Sequence, residues 1–292
     1  MSNDYLSNVD DGLCTRPSGE YAIEKLDIVE RCINMFSTAM KYQDWISSLN
    51  YIDLLAGPGK NKVRETGEVR LGSPLLALTA TDPFDNYFFV EADTELHSDL
   101  LLRARSSKEF AKVKSFPYDC NQAIDAIVQE ISQLAKSHSQ KNSLNLVFVD
   151  SEGLEVNWKT VEKLGRQTRS DLIMNFSTSG ITRNIREAFN SQKDHAIDRF
   201  LGSRDWRGPY SELSNPGNST LVRRFILDLY AIQLSELGYH TTAPNGEYIV
   251  LNSGNRQLYS LFCASKSPLG IRFFNDAADK FRSPMLPGFD IQ

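Results

Sequence analysis

One carboxylate interrupts an apolar run along this chain and three more close such runs. Asp53 lies inside Tyr51–Gly59 (YIDLLAGPG), Glu91 follows NYFFV, Asp119 follows VKSFPY, and Asp150 follows NLVFV. A buried strand that ends in Gly57-Pro58-Gly59 offers a turn whose glycines lack Cβ atoms, so its backbone can approach a ligand closely. Asp53, Ala56, Gly57, Pro58 and Gly59 are therefore candidate contacts for a nucleoside-like cofactor. Glu91 is placed to accept the two hydroxyl hydrogens of a ribose, and the polar insertion KNKVRETGEVRLGS accounts for its long separation from the glycines. Asp119 is placed to meet an adenine amino group. Bland alternatives stand beside these roles: Glu91 as a surface residue closing a strand, and Asp119 as a turn former after Pro117-Tyr118.

Asp150 ends the strand expected beside the first, where a cofactor's reactive end would lie. It is the catalytic candidate, as a base or as a hydrogen-bond acceptor that orients a nucleophile. The competing reading is a capping role in the turn that follows. Basic residues gather at Lys60–Arg70, at Arg183 and Arg186, and at Arg204 and Arg207 beside Trp206. Lys60, Lys62, Arg64, Arg183 and Arg207 are candidate phosphate contacts, with solvated charged faces as the alternative. Cys120 has no basic partner in sequence, and the four histidines are isolated, so neither thiol nor metal catalysis is expected.

These residues need a scaffold, and the spacing of apolar residues describes one. A polar lead-in over 1–19 precedes an amphipathic helix over Glu20–Met40, in which Ile23, Leu26, Val29, Ile33 and Phe36 share a face. Buried strands are expected at Tyr51–Ala56, Asn86–Val90, Val113–Phe116, Asn145–Val149 and Leu172–Phe176. Helices alternate with them, one starting at Ser73-Pro74 with serine as cap and others over Leu96–Phe110, Asn121–Ser137 and Trp158–Thr168. Residues 203–220 read as a long substrate-side loop before a helix over Leu221–Leu237. Tyr248–Leu251 and Gln257–Cys263 form a hairpin about Asn252–Arg256, and 284–292 is a tail. The expected architecture is α/β and Rossmann-like: a single domain over 20–283 with a seven-stranded, mostly parallel sheet, a C-terminal antiparallel hairpin, and helices on both faces. The composition, 41% hydrophobic and 24% charged, is that of a globular chain. A net charge of −5 means that a nucleic-acid ligand must meet a local basic patch. Scattered cysteines, a start without a signal sequence and the lack of a membrane-length apolar run lead to the expectation of a cytoplasmic protein.

Five alternating strands and a final hairpin are also the plan of class I S-adenosylmethionine (SAM) methyltransferases, and D-x-x-x-G-x-G is a form their cofactor loop takes. YIDLLAGPG, GSPLLAL, FFVEAD, VFVDSEGL with Trp158, and YSLFCASKSPLGIRFFNDA resemble the three-Cys-motif partner protein family (TcmP) over most of the chain. The resemblance implies a class I methyltransferase-like fold, a prokaryotic or phage setting, and a radical-SAM-like protein carrying the three-Cys motif as partner. It departs at Asp150-Ser151, where similar proteins carry Asp-Pro; nor is Asp150-Ser151-Glu152-Gly153 the N/D-P-P-Y/F of amino-group methyltransferases. The expected function is SAM-dependent methyl transfer to a nucleic acid or nucleotide. Two alternatives are a non-catalytic docking partner, and a nuclease that binds Mg²⁺ through Asp53, Glu91 and Asp150.

Overall fold

The structure is a computed structural model and describes residues 4–136, 142–213, 215–251 and 257–282. In chain order the elements are β1 (Arg16–Ser18), α1 (Tyr21–Met40), β2 (Ile46–Asp53), β3 (Lys60–Val63), β4 (Val69–Leu71), α2 (Ser73–Leu78), β5 (Asn86–Val90), α3 (Thr94–Ala104), β6 (Val113–Phe116) and α4 (Cys120–Lys136). They continue with β7 (Asn142–Asp150), α5 (Trp158–Gln167), β8 (Arg169–Phe176), α6 (Thr178–Asn190), α7 (Ala196–Leu201), α8 (Arg207–Ser211), α9 (Ser219–Glu236), β9 (His240–Thr241), β10 (Tyr248–Leu251), β11 (Gln257–Ser265) and α10 (Pro268–Ala278).

The main sheet runs β10-β11-β8-β7-β2-β5-β6, with β9 paired to β11 off this path, so among the described residues it has eight strands instead of the expected seven. β2, β5, β6, β7 and β8 are parallel, while β11 runs antiparallel to both β8 and β10. The two-residue side-chain period of a strand divides the core between the two faces. Ile52, Phe88, Val147, Met174 and Phe262 pack beneath α4, α5, α6 and α9. Tyr51, Phe89, Phe148, Ile173 and Leu261 pack beneath α1, α2 and α10.

Four local expectations give way to tertiary contacts. The polar start is tied down: β1 pairs parallel with β3, and β3 pairs with β4, so the insertion after Gly59 becomes part of a second, three-stranded sheet. Asp11 anchors this region by accepting from the buried Arg103 guanidinium at 2.6 and 2.8 Å and pairing with Lys60 at 3.0 Å. Residues 203–220 are not one loop, because α8 and the start of α9 fall within them and Trp206 is buried among Phe189 and Tyr210. The breakers in that stretch separate short helices that an aromatic cluster holds together. Gly72, not Ser73, caps α2, and Ser73 is buried beneath the first turn where it bonds Asp53. The helix expected to reach Phe110 ends at Ala104 and resumes as a single 3₁₀ turn, Phe110–Lys112. Ser137, the Asn252–Arg256 turn and the 284–292 tail lie outside the described residues.

Candidate functional site

β2 is where the strand order reverses, since it is flanked by β5 on one side and β7 on the other. The crevice outside the carboxyl ends of such strands is where open α/β sheets bind ligands. The Gly57-Pro58-Gly59 turn leaves β2 at that edge. Gly57 and Gly59 adopt φ of +61° and +90°, backbone that favours glycine. Ala56 N–H donates to the Val90 carbonyl at 2.8 Å, and Gly57 N–H donates to Glu91 Oε2 at 2.9 Å. Glu91 Oε1 accepts from Asp93 N–H at 2.8 Å, so one carboxylate ties the ends of β2 and β5 together.

Several expected contacts have other work. Asp53 is fully buried and bonds Tyr51, Ser73 and the Leu55 N–H, which makes it a support beneath the turn and not a lining group. Burial, with the nearby charge of Asp150, raises its pKa to about 7. Gly59 packs on Leu75 and Leu100, which would lie 3.1 Å from an added Cβ. The Pro58 carbonyl accepts from Arg103 at 2.6 Å. Gly57 differs: the nearest atom to an added Cβ is the movable end of Arg16, 3.8 Å away. Asp119 is exposed, and its Oδ1 accepts from Asn121 N–H and Nδ2 at the start of α4.

A cavity of about 190 Å³ opens beside this edge, over the ends of β7 and β8. Asp150 lies at its floor and receives Lys25 Nζ on both carboxylate oxygens at 2.7 Å, while Asn175 Nδ2 donates to Oδ1 at 2.8 Å. Burial alone would raise the Asp150 pKa, but Lys25 and Arg16 outweigh it and hold the carboxyl below the ordinary range. Arg16 crosses the cavity to Glu152 at 3.2 Å. Tyr259, on β11, lies under Lys25 Nζ (5.6 Å from the ring centroid) and meets Tyr21 edge to face at 6.0 Å. Arg64 completes the rim.

The sequence reading placed Asp150 and Arg64 at this site but missed Lys25, Asn175, Arg16 and Tyr259. Two of these carried a signal: Lys25 interrupts the apolar stripe of α1, and Asn175 interrupts the apolar run LIMNF. The other basic candidates divide. Lys60 is 1% exposed and bound to Asp11, and Arg207 is clamped on Asp198 at 2.8 Å. Both are thus structural cations and not phosphate contacts. Lys62 is exposed and pairs with Asp10; Arg183 is exposed one turn beyond Ser179, a lining residue. Among the described residues no three His, Cys, Asp or Glu converge as a metal-binding group, so Asp53, Glu91 and Asp150 do not form the magnesium site of the nuclease alternative. Among the same residues no helix is long and apolar enough to cross a membrane.

No family model matches the chain, and no curated protein does. Among solved structures it is similar to protein LPL1258 of Legionella pneumophila, at 10% identity and TM-score 0.47, covering 89% of this chain and 91% of that one. It is similar to the O-methyltransferase TomG of Streptomyces achromogenes, in complex with SAM, at 10% identity and TM-score 0.40, covering 90% and 97%. A Bacillus cereus O-methyltransferase in complex with SAH matches at 10% identity and TM-score 0.37, covering 81% and 89%. The strand order and the reversed β11 define the class of fold on their own: Rossmann-like, on the seven-strand plan of class I methyltransferases with β9 added.

Proposed function

We propose that this chain is a SAM-dependent methyltransferase whose methyl acceptor enters the cavity over Asp150. The observation that carries the reading is topological. An antiparallel β11 is inserted between β8 and β10, and a glycine turn lies at the switch point with a carboxylate bridging from the next strand. The residues at the edge fit the cofactor. Glu91 uses two of about four lone-pair positions on Gly57 and Asp93, which leaves two for ribose hydroxyls. Among the described residues, the Arg16 side chain alone lies within 4 Å of a Cβ added at Gly57. When bound, SAM supplies an electrophilic methyl group on a sulfonium; the protein's residues supply alignment. Asp150, kept anionic by Lys25 and Arg16, serves as a hydrogen-bond acceptor that orients the nucleophile, because so acidic a carboxyl is a poor general base.

A nucleic acid or nucleotide is the acceptor class in this reading, supported by Arg64 on the cavity rim and the exposed Arg183 near Ser179. The finer assignment, to the three-Cys-motif partner proteins, draws on the motif resemblance alone. Calorimetric titration with SAM and S-adenosylhomocysteine tests the core of the proposal. Micromolar binding is expected, weakened tenfold or more by Glu91→Ala, since hydrogen bonds to a charged acceptor contribute about 1.5–3 kcal/mol each. An absence of heat at millimolar ligand would sink the enzyme reading in favour of a docking partner for a radical-SAM-like protein.

A further inference from the structure

The cavity sets two acceptors, on Asp150 and Asn175, beside the cations Lys25 and Arg16. Asp150 is acceptor-only, so the Asn175 amide must turn its NH₂ toward it, and the Asn175 carbonyl oxygen is left over. Among the described residues that oxygen, on a side chain 4% exposed, has no hydrogen-bond partner, and neither has the hydroxyl of Ser18, which lines the same cavity. A buried polar atom without a partner is destabilising, so a ligand that brings it a donor relieves a cost already present. On Asp150, Lys25 and Asn175 occupy three of about four lone-pair positions, so one remains. The two side chains sit side by side because Asp150 and Asn175 are register partners in the β7–β8 ladder.

We propose that the Asp150–Asn175 pair selects an amino group on a planar ring, the exocyclic amine of adenine or cytosine, as the methyl acceptor. The inference rests on the methyltransferase reading of the same cavity. An –NH₂ brings two hydrogens to two acceptors. A hydroxyl brings only one and leaves Asn175 unpaired, and a carbonyl sets its lone pairs against those of Asp150. A planar ring is favoured because Tyr21 and Tyr259 line the same cavity and offer aromatic surface. Arg64 at the mouth is placed for the phosphate of the same nucleotide. The amino-group signature that the residues after Asp150 lack is supplied here by a neighbouring strand.

The test uses the full chain saturated with S-adenosylhomocysteine and four fluorescent single-stranded octamers, of deoxyadenosine, deoxyinosine, deoxycytidine and deoxyuridine. Within each pair the bases differ mainly by an amine against a carbonyl. Adenine over hypoxanthine and cytosine over uracil should each be preferred at least tenfold, because a site built to receive N–H rejects the analogue that lacks it. Asn175→Leu should bring both ratios close to one without altering S-adenosylhomocysteine affinity. Tyr21→Ala should weaken all four several-fold and keep the ratios, which tests the pair through a half-buried residue should Asn175→Leu fail to fold. Equal binding of amine and carbonyl bases, a preference that survives Asn175→Leu, or no octamer binding alongside a normal S-adenosylhomocysteine titration each overturns the proposal. The last outcome leaves the cofactor reading standing, whereas a chain that binds no S-adenosylhomocysteine overturns that reading and this proposal with it.

Discussion

Two buried asparagines in the same sheet have opposite surroundings. Asn50, on β2, uses its full hydrogen-bonding capacity. Its Oδ1 accepts from Ser48 at 2.6 Å and Asn86 at 2.9 Å, and its Nδ2 donates to Ser143 at 2.7 Å and Asn145 at 2.8 Å. Asn145 passes the row on to the Arg169 carbonyl at 2.9 Å and Ser170 at 3.3 Å. Asn175, near the carboxyl edge of β8, donates to Asp150, and among the described residues its oxygen has no partner. A satisfied polar row stiffens a sheet and specifies its register. One with a free acceptor beside a cavity is where a ligand gains most, because binding relieves an existing deficit. Burial and residue type are the same in both places, and only the accounting of donors and acceptors separates scaffold from site.

The largest test of that contrast is Lys25→Met, which leaves Asp150 buried without its principal cation. Unfolding in urea at pH 7 should show a loss of about 3–5 kcal/mol. The sign with pH follows from the depressed Asp150 pKa: in the parent protein its stabilisation is present above the unfolded value near 4 and fades in acid. The deficit of Lys25→Met should therefore shrink toward pH 5, as the unpaired carboxyl takes up a proton. An undiminished deficit would show that Lys25 acts through packing.

A second, smaller effect compares the asparagines directly. Asn50→Leu strands several buried groups at once and should cost about 2–4 kcal/mol, whereas Asn175→Leu removes one bond and one unsatisfied oxygen together and should cost about 1 kcal/mol or less. Equal losses in parallel urea titrations would erase the distinction between row and site.

The third effect sharpens the carboxyl edge itself, where burial and the Asp150 charge push Asp53 up to about 7 while Asp150 is held down. A raised carboxyl pKa means that the folded chain holds a proton the unfolded chain has lost. Stability from Asp53 is thus fullest below about pH 4 and declines as pH rises to 7, by on the order of 2 kcal/mol between pH 5 and 7. Asp171, raised to about 6 by burial, adds to the same trend. Asp53→Asn should flatten the profile in thermal melts across that range, leaving the smaller contribution of Asp171. A slope unchanged by the substitution would assign the trend elsewhere.

Much of this molecule was determined by sequence alone, for a physical reason: strands buried on two faces and helices buried on one must carry those patterns locally. The five parallel strands, β10 and β11, and α1, α4, α5 and α9 overlap the runs where apolar spacing puts them, with the largest offset at β2, which begins five residues before the expected Tyr51 and ends three before Ala56. So does the glycine turn, whose positive φ calls for glycine. What tertiary structure decided are matters of partnership between distant residues. Residues 4–19 looked loose because the strand, Lys60 and Arg103 that hold them lie some 45 to 90 positions away. Lys60 and Arg207 read as free cations because nothing nearby in sequence announces Asp11 or Asp198. Lys25 and Asn175 belong to Asp150 only once α1 is packed on the sheet and β7 and β8 are in register. Spacing along a chain reports which face a residue takes; which atom it meets there is set by the register and packing of elements that sequence leaves far apart.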